Sequence, residues 1–236
     1  MSAALAVEGL CAGYGGVPAL RDFSLTVQPG EVHTMLGANG AGKSTALLAI
    51  MNALEPTAGR VTSFGNNLSG RRIEEIARHG VALVPDNRGV FFDLTVAENL
   101  RLARAPEGEP AREHALDRFP ELRPLLNRLC RRLSGGEQQM LGLAKALVAK
   151  PRVLLIDEMS LGLAPLVVQR LLPIIRSLAD EHGTAVVLVE QHIDLALQVS
   201  DQALVLNRGR VTLAGPAAEL RASRAEIEAA YFGQTV

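Results

Sequence analysis

The 236 residues carry 24 Lys and Arg against 25 Asp and Glu, a formal net charge of −1, and 48% of them are hydrophobic. That balance supplies no basic field for nucleic acid or an anionic membrane, and 3% aromatics with no Trp leave no base-stacking platform. The length suits one domain, alone or with an inserted lobe, and the apolar share is ample for a sizeable core.

Residues 1–10 lack the basic head and apolar core of a signal peptide, with Glu8 interrupting them, and no apolar run reaches the roughly 18 residues of a membrane span. The expectation is a chain made and kept in the cytosol that reaches any membrane through partners. Cys11 and Cys130 lie far apart without metal-ligand spacing and read as reduced thiols. Leu5 to Leu10 and Ala19 to Val27 read as strands, and Pro29-Gly30 turns the chain into a strand from Glu31 to Leu36. Residues 43–54 read as a helix stopped by Pro56, and Arg60 to Phe64 and Val81 to Val84 as strands. From about residue 87 to 150 strand-like blocks give way to charged, helix-favouring sequence, with a loop at Glu107 to Pro110. Strands return at Val153 to Ile156, Ala185 to Val189, Ala203 to Leu206 and Arg210 to Ala214, before a terminal helix over 216–231. Short strands alternating with helical patterns predict an α/β domain with a mostly parallel sheet. The core would comprise residues 1–86 and 151–236, and the helical lobe about 87–150.

The run Gly37-Ala38-Asn39-Gly40-Ala41-Gly42-Lys43-Ser44-Thr45 matches G-x-x-x-x-G-K-[ST] between an apolar strand and a helix. Glycines let the backbone wrap phosphates and aim its N–H groups inward, and the helix start adds partial positive charge. Lys43 would reach the β- and γ-phosphates of ATP, and the Ser44 hydroxyl would be a ligand for Mg²⁺. Further on, the apolar strand 153–156 ends in Asp157-Glu158, which delivers two carboxylates to the sheet edge where such folds bind ligands. Asp157 would hold Mg²⁺, directly or through water, and Glu158 would orient and deprotonate the attacking water. A strand-end acidic pair is by itself usually just solvated; its pairing with the glycine-rich loop is what points to chemistry.

Leu133-Ser134-Gly135-Gly136-Glu137-Gln138-Gln139 opens a helix, with Ser134 as N-cap and Glu137 completing a capping box. A cap does not require two glycines, whose backbone entropy is costly, and a helix start with a hydroxyl and glycines is a second anion site.

With these motifs in this order and spacing, the whole chain resembles ATP-binding subunits of ABC transporters, whose signature reads LSGGQ. The resemblance implies a P-loop NTPase (RecA-like) core, an N-terminal antiparallel β subdomain and an inserted α-helical subdomain. It implies hydrolysis of MgATP in a head-to-tail dimer, where Ser134, Gly135 and Gly136 reach the partner's γ-phosphate and Tyr14 stacks on adenine. The stretches 84–100, 158–165 and 188–197 are similar to the second ATPase of branched-chain amino-acid uptake systems, the LivF-like group. That implies import of branched-chain or other amino acids, with permeases in the membrane, a second ATPase (a heterodimer, or else a homodimer) and a periplasmic or surface binding protein. Urea or short-amide import is the near alternative. A soluble ABC ATPase of DNA repair or the ribosome would need coiled-coil insertions, fused cassettes or a basic tail, which the sequence lacks; a regulatory module with little hydrolysis would not need Lys43, Ser44, Asp157 and Glu158 together.

Three positions depart from the wider family. Asp86 stands where a glutamine senses the γ-phosphate, touches the membrane subunit and serves Mg²⁺ or water. Gln191 stands at the switch histidine, with His192 one residue later; at a strand end only one of the pair can face phosphate, and Gln191 is the group's usual residue. Met159 replaces the proline after the catalytic glutamate, which predicts at most a less rigid loop.

Overall fold

The computed structural model describes residues 2–103 and 105–232. Two sheets and a lobe of helices make up the chain. The first sheet has the order β2-β1-β4-β5 and is antiparallel, formed by β1 (Leu5–Tyr14), β2 (Val17–Val27), β4 (Ala58–Ser63) and β5 (Asn66–Asn67). The Gly15-Gly16 turn between β1 and β2 has φ of +56° and +80°, the mirror-image geometry that suits twisted hairpins.

The second sheet contains β3 (Val32–Leu36), β6 (Val81–Val84), β7 (Val153–Ile156), β8 (Ala185–Val189), β9 (Gln202–Asn207) and β10 (Arg210–Pro216), in the order β10-β9-β3-β8-β7-β6. Only β10 runs antiparallel to its neighbour. Every residue of β3, β7 and β8 is buried, as expected of parallel strands covered on both faces. Alternation divides them: Leu154 and Ile156 pack with the lobe, whereas Val153 and Leu155 pack with the antiparallel sheet and α1 (Lys43–Ile50).

Between β6 and β7 lie α3 (Val96–Leu102), α4 (Glu109–Arg118), 3₁₀ turns at Pro120–Leu125 and Cys130–Arg132, and α5 (Gly135–Val148). Their apolar residues form one cluster with the sheet face and α6 (Pro165–His182), which starts on a proline and ends at Gly183 with φ +65°. The remaining helices are α2 (Ile73–Arg78), α7 (Ile193–Val199), α8 (Ala217–Ala222) and α9 (Arg224–Phe232). Among the described residues no helix is long and apolar enough to cross a membrane.

Several boundaries differ from the sequence reading. Helix α1 stops at Ile50, not at Leu54: Asn52 turns left-handed at φ +52°, and the Ala53 and Leu54 amides fold back onto the Leu48 carbonyl. The supposed loop at Glu107 to Pro110 already contains the first turn of α4, where proline is at home. The terminal helix is two helices, broken at Ser223. Helices α2, α6 and α7 come in addition to the helices read from the sequence.

Candidate active site

The carboxyl ends of β3, β6, β7 and β8 lie side by side, and each carries one part of the site. After β3 the chain makes the glycine-rich loop. A Cβ on Gly37 (φ +149°) would sit 2.4 Å from the Leu206 carbonyl oxygen, and one on Gly42 (φ +108°) 2.7 Å from that of Ala19. Glycine is therefore a steric requirement at both, set by β9 and β2. Gly42 caps α1 without any side-chain hydrogen bond, so the first-turn amides of α1 are left for a ligand. Asn39 and Gly40 are exposed at the loop's crest, while Ala38 and Ser44 are half-buried and Ala41 and Thr45 buried.

Lys43 is 3% exposed and donates to the carbonyls of Gly37 at 2.7 Å and Ala38 at 3.0 Å. Burial lowers its pKa, against the pull of Glu158 and Asp157. Glu158 Oε1 lies 3.8 Å from its Nζ. Asp157, at the end of β7, is pushed up to about 6 by burial and by the neighbouring charges of Asp86 and Glu158; a hydrogen bond with Ser44 and the charge of Lys43 only partly offset this. One of its carboxylate oxygens, Oδ1, is buried without a partner. A buried anionic oxygen lacking a donor, beside the Ser44 hydroxyl, is what a hard divalent cation needs. Among the described residues no cluster of three or more His, Cys, Asp or Glu could hold a metal by itself. Mg²⁺, which shares its shell with substrate phosphates and water, does not need one.

Glu158 has φ +44°, a left-handed conformation on the order of 1–2 kcal/mol unfavourable for a side-chain-bearing residue. Met159, next along, is fully buried in the lobe-side cluster. Its side chain anchors this loop through packing, where a proline would restrict the backbone.

After β6, Asp86 is exposed and one carboxylate oxygen accepts from the Asn87 amide at 2.7 Å. Arg88 follows at φ +67°. Its guanidinium donates to Gln138 of α5, and its carbonyl oxygen would be 2.5 Å from a Cβ on Gly142. The Asp86 segment is thus clamped to the helix that Ser134 opens. Ser134 and Glu137 close the capping box, at 3.3 Å and 2.7 Å. Gly135 and Gly136 are half-buried at the first two helical positions.

After β8, Gln191 Nε2 donates to Asn39 Oδ1 at 3.2 Å, whereas His192 is exposed at the N-cap position of α7, its side chain making no cap hydrogen bond. Of that pair it is Gln191 that touches the phosphate loop. Tyr14 is 53% exposed at the hairpin tip, on the ribbon whose Ala19 abuts Gly42. Sequence reasoning missed Arg88 and Glu190. The latter, 1% exposed, is signalled only by an acid closing an otherwise apolar five-residue strand.

This is a nucleotide-hydrolysing P-loop protein with a second glycine-flanked helix start. The ABC transporter family matches it over residues 20–160. It is 39% identical over 224 residues to the high-affinity branched-chain amino acid transport ATP-binding protein BraG of Pseudomonas aeruginosa, covering 93% of this chain and 95% of that one. It is 37% identical over 215 residues to the probable branched-chain amino acid transport ATP-binding protein LivF of Archaeoglobus fulgidus, covering 89% and 91%. A bacterial ABC transporter cassette solved as a dimer superposes with a TM-score of 0.80 at 25% identity, over 90% of this chain and 98% of the other. The chain belongs to the ABC transporter family, as an ATP-binding and ATP-hydrolysing cassette.

Proposed function

We propose that the chain drives an importer of branched-chain or other amino acids from the cytoplasmic face of the membrane, paired with a second ATPase and seated on permease subunits that receive cargo from a binding protein. The observation that carries the catalytic part is the cluster at the ends of β3 and β7: buried Lys43, the unpartnered Asp157 oxygen and left-handed Glu158. Lys43 and the amides of residues 37–45 bind the phosphates, and Tyr14 stacks on the adenine. Ser44 and Asp157 would hold Mg²⁺, with Asp86 in reach of the same charge. That ion supplies charge neutralisation at the phosphate oxygens. Glu158 accepts the proton of the water that attacks the γ-phosphorus, and Gln191 orients from the far side of the loop. Ser134, Gly135 and Gly136 offer their helix start to the nucleotide of the other subunit.

An apolar groove of about 410 Å³ beside the edge strand β6, lined by Met51, Ile73, Ala77, Leu83 and Pro85, supports the permease reading. Ile73, Phe91, Phe92 and Leu102 are all exposed, and Phe91 and Phe92 follow Asp86 closely in the chain. The names of BraG and LivF support the cargo.

The test uses Glu158→Gln saturated with MgATP. Nucleotide binding persists and turnover falls about a thousandfold, and light scattering shows a nucleotide-dependent dimer once the second ATPase is added. Monomers alone under those conditions overturn the shared-site reading. For cargo, cells lacking this chain lose uptake of labelled leucine, isoleucine and valine; loss of urea uptake instead reassigns the substrate.

A further inference from the structure

The buried carboxylate of Glu190 lies outside the catalytic cluster, yet it contacts both the loop that follows Glu158 and the turn that bears Gln191. Strands β7 and β8 are parallel neighbours with Ile156 paired to Leu188, so residues 157–160 and 190–191 leave the sheet side by side. Glu190 Oε1 accepts from the Ser160 amide at 3.0 Å, and Oε2 accepts from the Ser160 hydroxyl at 2.5 Å and the Gln191 amide at 3.2 Å. Its own amide donates to the Met35 carbonyl at 3.3 Å, on the strand that leads into the phosphate loop. Ser160 is 6% exposed and lies two residues beyond Glu158.

We propose that Glu190 is a positioning residue for hydrolysis, one carboxylate that sets the loop bearing Glu158 and the turn bearing Gln191 in a common register against the phosphate loop. Its two oxygens give one carboxyl group the capacity to engage all of these partners at once. A shorter hydroxyl side chain could serve one loop but could not bridge both. Because Glu158 holds a left-handed backbone, it needs its neighbours to over-determine it, and the doubly bonded Ser160 supplies that constraint on one side while buried Met159 supplies it on the other. The inference rests on Glu158 as the base and Gln191 as the phosphate-side contact.

Glu190→Gln keeps the shape but turns an NH₂ toward a backbone N–H. In the folded variant, binding of a fluorescent ATP analogue stays within about twofold, since the Glu190 side chain itself touches no residue of 37–45, while kcat at saturating MgATP falls about 10- to 100-fold with KM nearly unchanged. Ser160→Ala removes one bond and lowers kcat about threefold or more. The double variant falls no further than Glu190→Gln, because both act through one contact. A folded Glu190→Gln with wild-type kcat, losses that multiply, or a kcat loss matched by loss of ATP binding would overturn the proposal. If Glu190→Gln fails to fold, Ser160→Ala decides, and an unchanged kcat in it is equally fatal. Glu158→Gln runs alongside: should it turn over normally, the assignment of the base fails, whereas a dead Glu158→Gln beside a fully active Glu190→Gln rejects this inference alone.

Discussion

The phosphate loop and the signature helix are both glycine-flanked helix starts, and they are built on opposite terms. At the phosphate loop the glycines are required by the chain itself, because β-strand carbonyls press within 2.4 and 2.7 Å of where a Cβ would stand on Gly37 and Gly42. At the signature the helix is closed by its own capping box, and a Cβ on Gly135 or Gly136 would meet side-chain atoms at 3.2 to 3.5 Å, chiefly from Arg88, Leu163 and Val167. Neither of those two glycines has a positive φ. The first site is shaped from inside the molecule. At the second, neither a left-handed backbone nor a close carbonyl requires glycine, which leaves those two positions to the proposed contact with another subunit's nucleotide.

Ranked by effect on the stability of the isolated chain, Gly37→Ala comes first. The added methyl meets backbone that cannot step aside, at a φ that L residues avoid, so the expected loss is at least about 3 kcal/mol. For a chain of this size that lowers Tm by about 6 to 12 °C in calorimetry, with ATPase activity abolished. A near-normal Tm would mean that the loop is held more loosely than its contacts require.

Asp157→Asn is next and has the opposite sign. A folded pKa of about 6, above the ordinary 3.8, means that the folded chain holds this proton more tightly than the unfolded chain does. Below 3.8 both states are protonated and the group contributes nothing. As pH rises from about 4 to 6 the unfolded chain ionises first, so the folded state loses ground, by up to about 3 kcal/mol that persists above pH 6. Melted without nucleotide or metal at pH 7, the Asn variant is therefore more stable than the native chain, and the gap closes on acidification to pH 4. Its Mg²⁺-dependent nucleotide binding is weaker. A gap that does not narrow with pH would remove buried charge as its cause.

The difference between the two sites also explains what was readable from the sequence. Gly37 to Thr45, Asp157 and Glu158 announce themselves because strand, turn and helix are contiguous at the first, and because the short, largely apolar runs of β3 and β7 end at these residues. The Ser134–Glu137 box is likewise local. Glu190 was not legible, since its meaning is a contact with Ser160 thirty residues earlier that only the parallel pairing of β7 with β8 creates. Nor was Arg88, whose left-handed backbone fits only because α5 has glycine at 142. The end of α1 was misjudged because Pro56 is a loud stop, whereas a left-handed Asn52 is a quiet one.

The smallest stability effects fall at the signature and sharpen the comparison most. Ser134→Ala removes a cap worth about 1 kcal/mol, a Tm change of roughly 2 to 4 °C. Gly136→Ala should barely move Tm: alanine is the better helix former, and the 3.2 Å approach of a Val167 methyl offsets that gain. Nucleotide binding by the single chain should also be unchanged, since the phosphate loop lies elsewhere, between β3 and α1. Turnover in the assembled dimer should nevertheless fall about a hundredfold, the scale on which one misplaced donor to a developing oxyanion is felt. If instead Gly136→Ala melts early, the glycine serves this chain's own packing and the contrast between the two helix starts disappears. If it melts normally and turns over normally, the signature helix start is not a phosphate ligand at all.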